Sequence, residues 1–170
     1  VSGGVEGSED NSLVLTAANG DNIGLSKSVA IGGDIIFEFE MNDDSGVEQF
    51  IFSDIDFTCR LSITGSIFSV GVSNIIIKAN GISIPIFYGM WAGREGETIE
   101  ISCTSDINSD IVSLCSKPNR TASLNGTVKN LSINSEQFDF TEGNGITTTG
   151  SDGTVATLNT AHADATNYIN

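Results

Sequence analysis

The chain has 170 residues, of which 39% are hydrophobic and 17% are charged, with 19 glycines and only two prolines. This length suits one domain with a sizeable core, and the composition excludes an intrinsically disordered chain. Twenty-two acidic residues against seven basic ones give a formal net charge of −15. Because such a surface repels phosphates, nucleic acid is not an expected partner. No apolar run approaches the length of a membrane span, so we expect none.

The first third of the chain predicts short strands behind a flexible N-terminal leader. Residues 1–11 are rich in Gly, Ser and acidic side chains, and 13–15 predict the first strand. Residues 35–41 alternate strictly between apolar and other side chains. A strand there places its aromatic residues on one face and Glu38 and Glu40 on the other.

The rest of the chain up to residue 134 predicts strands joined by short turns. Asn80-Gly81 is a strong hairpin dipeptide between two Ile-rich segments. Turn residues recur at the spacing typical of an all-β sandwich, and short connections favour antiparallel pairing. We therefore predict an antiparallel two-sheet β-sandwich over residues 12–134. Its further strands are expected at 48–55, 59–63, 67–72, 74–79, 82–86, 98–104, 111–115, 121–124 and 127–133.

Residues 135–170 predict an extended Gly/Thr-rich C-terminal segment. It opens with a Gly-punctuated acidic turn over 138–145 and holds few large apolar side chains. Alone it cannot bury enough surface to offset the entropy of ordering. We therefore expect it to pack on the sandwich or on a neighbouring subunit. The expected anchors of this assembly tail are Phe138, Phe140, Val155, Leu158, Tyr168 and Ile169.

Three cysteines, Cys59, Cys103 and Cys115, make an odd number without regular spacing. This pattern does not indicate a disulfide framework, and we expect three small buried apolar residues. A pairing of Cys103 with Cys115 stays open if their segments are neighbouring strands. With His162 as the only histidine, we expect no zinc site.

Asn42, Asp43 and Asp44 form the acidic turn after the strand at 35–41. Their oxygens are candidate calcium ligands, because calcium prefers carboxylate and amide oxygens. They lack the spacing of a dedicated calcium loop, and a hairpin turn explains them equally well. Beyond this calcium hypothesis we expect no cofactor.

Tyr88, Trp91 and Arg94 lie in a Gly-containing loop over residues 88–96. Aromatic faces stack on sugars, and loops on a rigid sandwich are a usual place for recognition, so these three residues are candidates for glycan binding. The competing interpretation is that Trp91 caps the core or a subunit interface.

Catalytic signatures are weak. Glu38 and Glu40 share a strand face, and paired carboxylates are the machinery of glycosidases. The third acid that would extend this pair on the same strand is missing. His162 lies in the tail without a nucleophile motif. We predict that the chain is not an enzyme and has no catalytic residues.

The segments NSLVLTAANGDNIGLSKSVAIGGDIIFEFEMNDDSG, IIIKANGISIPI, GETIEISCTSD and ASLNGTVKNLSI resemble, in this order, the strands of concanavalin A-like (laminin-G-like) jelly-roll domains. The resemblance covers residues 12–134 and rests on pattern. The last thirty or so residues resemble segments that follow such domains in bacteriophage virion and tail proteins.

The resemblance implies a non-enzymatic structural or decoration protein on a virion surface, capsid or tail. Such a protein assembles with copies of itself or with other virion subunits, and it can adhere to host glycans. The second hypothesis is a carbohydrate-binding adhesion module of a bacterial or viral surface protein, located extracellularly or at the cell surface. The third is a glycoside hydrolase.

Overall fold

The computed structural model describes residues 13–15, 22–25, 29–31, 34–54, 56–106, 109–111, 113–117, 121–139 and 147–159. All secondary structure in this part of the chain is β-strand, so the prediction of an all-β protein is confirmed. None of these residues forms a helix long and apolar enough to cross a membrane. The predicted leader at 1–11 and the tail residues Phe140, Tyr168 and Ile169 lie outside the described residues.

The described strands are numbered in chain order. They are β1 (Leu13–Leu15), β2 (Asn22–Leu25), β3 (Val29–Ile31), β4 (Asp34–Met41), β5 (Gln49–Ser53), β6 (Arg60–Ile63), β7 (Ile67–Val70), β8 (Val72–Ala79), β9 (Ile82–Ile84), β10 (Thr98–Ser105), β11 (Ser109–Ile111), β12 (Ser113–Leu114), β13 (Gly126–Ile133), β14 (Glu136–Asp139), β15 (Thr147–Thr149) and β16 (Val155–Asn159).

Two seven-stranded sheets contain most of the described strands. The first sheet has the order β1-β13-β4-β10-β8-β9, with β14 also paired to β13. The second has the order β15-β16-β2-β12-β5-β6-β7, and β3 pairs with β11 separately. Every described pair is antiparallel, as the short connections predicted.

The two large sheets share one hydrophobic core. In β4, Phe37, Phe39 and Met41 are buried while Glu38 and Glu40 face outward, which confirms the predicted alternation. Side chains of the second sheet, such as Phe52, meet them in the same cluster. Burying each large apolar side chain contributes about 1.5–3 kcal/mol, so this alternation fixes which face of each sheet turns inward. The architecture is that of a β-sandwich.

The hairpin predicted at Asn80-Gly81 is present. Ala79 pairs with Ile82, and the two turn residues have φ of 50° and 80°. A type I′ turn needs positive φ at both central residues, which Asn and Gly tolerate best. The turn places β9 at the end of the first sheet.

Several predicted strand limits were wrong. The strand expected at 67–72 ends at Val70, the one at 82–86 ends at Ile84, and 111–115 is divided between β11 and β12. Residues 121–124 form no strand: Ala122 has φ of 50°, and its carbonyl accepts a hydrogen bond from the Phe50 amide. The strand expected over 48–55 ends at residue 53. Asp54 follows it and turns the chain, because its Oδ1 accepts the Cys59 amide at 3.1 Å.

The described part of residues 135–159 adds strands to both sheets. β14 pairs with β13 in the first sheet, where an acidic turn was expected to begin, and β16 pairs with β2 in the second. The two additions meet at Glu136, whose carboxylate accepts hydrogen bonds from the Thr154 amide at 3.0 Å and hydroxyl at 2.9 Å. These contacts connect the sheets on the side remote from β7 and β9.

Candidate functional site

Trp91, a predicted glycan-binding residue, lies in the core. Its side chain is 1% exposed, and its Nε1 donates a hydrogen bond to the Ser66 carbonyl at 2.7 Å. A buried indole whose only donor is satisfied presents no face to a ligand. The structure therefore agrees with the competing interpretation, in which Trp91 covers the core.

Arg94 is held within the same loop. Its Nε donates to the Met90 carbonyl at 2.7 Å, and its Nη1 forms an ion pair with Glu97 at 2.9 Å. Tyr88, in contrast, is 88% exposed, and its ring lies over Gly65. Of the three predicted glycan-binding residues, only Tyr88 presents its side chain to solvent.

The Asn42-Asp43-Asp44 turn uses its polar atoms locally. Asp44 Oδ2 accepts the amides of Gly93 and Arg94 at 2.8 and 3.1 Å, and Asp43 Oδ1 accepts the Ser45 amide. Asn42 Nδ2 lies 3.5 Å from the Thr127 hydroxyl. The described part of the chain contains no group of three or more His, Cys, Asp or Glu residues that could hold a metal ion. Calcium binding here stays a prediction.

The expected tail anchors fall into different places. Phe138 on β14 is fully buried in the core, and Val155 on β16 is half-buried. Leu158 lies on β16 and pairs with Ile23. The described anchors thus belong to strands of the sandwich itself.

The three cysteines are buried free thiols, as expected of small apolar residues. Cys103 lies on β10, whose neighbours are β4 and β8, so it is not on a strand next to Cys115. Burial raises the pKa of Cys103 to about 12 and also raises the pKa of Cys115 and Cys59. Neutral, buried thiols are poor nucleophiles.

Sequence reasoning missed an apolar surface at one end of the first sheet. We define the open flank as Ile82, Ile84, Ile86, Phe87 and Tyr88. Ile84 packs partly against the core, whereas Ile82 is 71% exposed and the last three are exposed as well. The run of apolar side chains from 82 to 88 was visible in the sequence, but residues 82–86 were predicted only as a strand and residues 88–96 as a loop.

Sequence reasoning also missed a cationic face on the outer side of the second sheet. Arg60 on β6 lies 4.3 Å from the ring centre of Phe68 and about equally far, 5.5 and 5.6 Å, from those of Phe50 and Phe57. Lys117 Nζ lies 5.2 Å from the Phe50 ring centre. These residues lie far apart in the sequence, so only the fold brings them together.

The outward carboxylates lie on the opposite side of the sandwich. Glu38 and Glu100 are direct cross-strand partners on β4 and β10, and Glu40 pairs with Thr98. Glu100 forms an ion pair with Lys78 at 3.4 Å, and Glu38 accepts the Asn130 amide nitrogen at 3.1 Å. The paired acids singled out from the sequence, Glu38 and Glu40, therefore stand on an acidic sheet face.

Searches of protein-family models, of curated proteins and of solved structures found nothing that matches this chain. The class that the described residues define is an antiparallel β-sandwich with an apolar flank and two outer faces of opposite character.

Proposed function

We propose that this chain is a non-enzymatic structural or decoration subunit of a virion surface, on a capsid or tail, which assembles with copies of itself or with other subunits. The observation that carries the proposal is the open flank. The resemblance to jelly-roll domains of bacteriophage virion and tail proteins suggests the particle.

The open flank is an edge of the first sheet where apolar side chains next to the core stay exposed. Ile82 pairs with Ala79, so the two side chains share the inner face of the first sheet, yet Ala79 is buried and Ile82 is not. No described strand pairs with the outer edge of β9. An uncovered edge strand beside exposed apolar side chains is a usual feature of protein–protein contact sites.

The high negative charge is compatible with this role. A charge of −15 keeps free subunits apart in solution, so association depends on specific contacts. The role proposed for the C-terminal segment is assembly as well, through the residues after 159, and it stays a prediction.

The test uses purified virus particles whose genome encodes the chain. Wild-type chain is expected to co-sediment with purified particles in a density gradient, whereas Ile82→Lys remains at the top. Ser83→Lys is the matched control, because it introduces the same charge on the opposite, exposed face of β9. Co-sedimentation of Ile82→Lys at the wild-type level would contradict a role for the flank. Absence of the wild-type chain from particles would contradict the proposed function.

A carbohydrate-binding adhesion module is the second candidate, favoured by the exposed ring of Tyr88. An exposed tyrosine on a structured loop can stack on a sugar ring. On a glycan array, Tyr88→Ala is expected to abolish binding while Phe87→Ala retains it. Equal binding by wild type and Tyr88→Ala would exclude this site. The two functions are compatible, since a virion decoration can also adhere to host glycans.

A further inference from the structure

The cationic face carries an arginine without an anionic partner. Arg60 takes part in none of the described ion pairs, and its Nε is buried without a hydrogen-bond partner among the described residues. An arginine fork normally finds a carboxylate, and acidic residues outnumber basic ones about threefold in this chain. Three phenylalanine rings hold the guanidinium in place instead. Its outer N–H donors are therefore oriented and available to a partner.

Exposed apolar side chains surround this guanidinium. Phe68 and Val70 on β7 and Phe57 before β6 are each more than one-third exposed. Across the strands, Phe68 pairs with Ser62, and Ser62 pairs with Phe50. Ser62 and Phe50 are fully buried, so Phe68 is the member of this row that reaches the surface, and Arg60 stands two residues from Ser62 on the middle strand.

The acidic face of the first sheet has the matching arrangement. Ile36 pairs with Ser102, and Ser102 pairs with Ile76, which gives a row with two exposed isoleucines and a central serine. Two residues along, Glu38 and Glu100 stand directly opposite each other. Lys78, the partner of Glu100 on β8, offsets one of these two charges through an ion pair at 3.4 Å, so this row of three side chains keeps a net negative charge.

The two faces correspond in spacing as well as in charge. Each row crosses three neighbouring strands about 4.8 Å apart, and the charged position lies about 6.7 Å further along. Arg60 and Glu100 each occupy the middle strand. When Phe68 lies over Ile36 or Ile76, Arg60 therefore lies over Glu100, with Glu38 and Lys78 one strand away on either side.

We propose that copies of this chain stack head to tail, with the cationic face around Arg60 on the acidic face around Glu38 and Glu100 of the next copy. This inference rests on the proposed assembly function and names its partner, a second copy of the chain. Because the two faces differ, the contact is heterologous and generates a ring or a filament rather than an isolated dimer. The Phe57 and Phe68 rings pack against Ile36 and Ile76, and the guanidinium lies beside the Glu38 and Glu100 carboxylates.

A charge-exchange experiment on the full chain tests the stacking. Sedimentation velocity at about 0.15 M salt, where charges are screened beyond about 8 Å, measures association of the wild type from about 1 µM to about 1 mM. Arg60→Glu and Glu100→Arg are each expected to weaken self-association at least about tenfold, because each places like charges together. An equimolar mixture of the two variants is expected to associate again. In that mixture the carboxylate introduced by Arg60→Glu in one chain meets the guanidinium introduced by Glu100→Arg in the other, and the native pair forms at the next contact.

Lys129→Glu is the matched control, since it changes the net charge as much as Arg60→Glu but makes the acidic face more acidic. It is expected to associate no more weakly than the wild type. The stacking would be overturned if Arg60→Glu and Glu100→Arg each associated as strongly as the wild type, or if their mixture stayed dissociated. A wild type that remains monomeric throughout would overturn it too. The proposed function is judged separately, by co-sedimentation of the chain with particles.

Discussion

Asp44 is a half-buried residue whose carboxylate organises the loop before β10. Its Oδ2 accepts hydrogen bonds from successive amides of the turn that contains Gly93 and Arg94, and thereby ties this turn to the end of β4. The side chain of its neighbour Asp43 accepts the Ser45 amide, and the Asp43 carbonyl accepts Gln49 Nε2 at 3.0 Å. Two adjacent aspartates of similar chemistry thus have different structural consequences.

We expect Asp44→Ala to lower the free energy of unfolding by about 1 kcal/mol more than Asp43→Ala, because the Asp44 side chain accepts three backbone amides and the Asp43 side chain accepts one. Urea unfolding monitored by Trp91 fluorescence measures the difference. Adding calcium during the same measurement tests the predicted ligand role of this turn. A stabilisation by calcium that both variants lose would establish a metal site, and equal effects of the two variants without calcium would contradict the capping role.

For single residues, the sequence predicted which side-chain types the loop contains better than it predicted which of them are exposed. The residue types of the loop over 88–96 suggested an aromatic binding site, yet the indole of Trp91 is buried and Tyr88 is exposed. Nothing in the local sequence distinguishes the two rings. Their burial depends on the Ser66 carbonyl and on Gly65, which lie in the turn between β6 and β7 of the second sheet.

The C-terminal strands close the sandwich opposite the open flank. β14 and β16 extend different sheets, and Glu136 joins them through Thr154. Gly150 makes room for this contact, because a Cβ there would lie 2.5 Å from Glu136 Oε1 and 2.7 Å from the Phe138 ring. The closure of the sandwich at this end depends on the buried Glu136 carboxylate and on the absence of a side chain at Gly150.

Thr154→Val is expected to lower the free energy of unfolding by about 1–3 kcal/mol, because it leaves a buried oxygen of Glu136 without its hydroxyl donor. Ser151→Ala in the same hairpin removes an exposed hydrogen bond to the Gln137 amide, which water can replace. Its effect is expected to stay within about 0.5 kcal/mol. Urea denaturation of both variants gives the comparison, and equal losses would show that the Glu136 contact does not hold the hairpin.

Elements with strict alternation or a strong turn were predictable. β4, β10 and the Asn80-Gly81 hairpin follow directly from residue pattern. β15 and β16 did not, because segments with few large apolar side chains give no periodic hydrophobic pattern. Their strand pairing comes from the exposed edge of β2, which is a tertiary cause.

The whole molecule combines a strongly acidic surface with a core that contains three neutral thiols. Burial raises the pKa of Cys103 from 9.0 to about 12, so the folded chain keeps this proton above pH 9 while the unfolded chain releases it. The folded state then binds more protons than the unfolded state. Stability is therefore full below pH 9 and falls as the pH rises from about 9 towards 12.

We expect the fall in stability above pH 9 to be shallower in Cys103→Ala than in the wild type. One thiol contributes a slope of up to about 1.4 kcal/mol per pH unit, and other titrating groups cancel in the comparison. Urea unfolding of both proteins at several pH values from about 7 to about 10.5 gives the slope of the unfolding free energy against pH for each. Parallel slopes would mean that Cys103 titrates normally in the folded protein.

The assembly surfaces lie beyond what sequence pattern alone can predict. The prediction of an all-β antiparallel sandwich follows from turn spacing, whereas the cationic face needs Phe50, Arg60 and Phe68 from three strands in register. The expected assembly segment was the C-terminal tail. The structure adds the open flank and two outer faces, which we propose as surfaces that contact a neighbour.

Immunogold labelling of intact particles with antibodies against this chain tests the central claim most directly. A structural or decoration subunit predicts gold on the surface of capsid or tail at regular positions, and no gold on particles that lack the gene. Unlabelled intact particles, with the chain recovered only in the particle-free fraction, would contradict the proposed function.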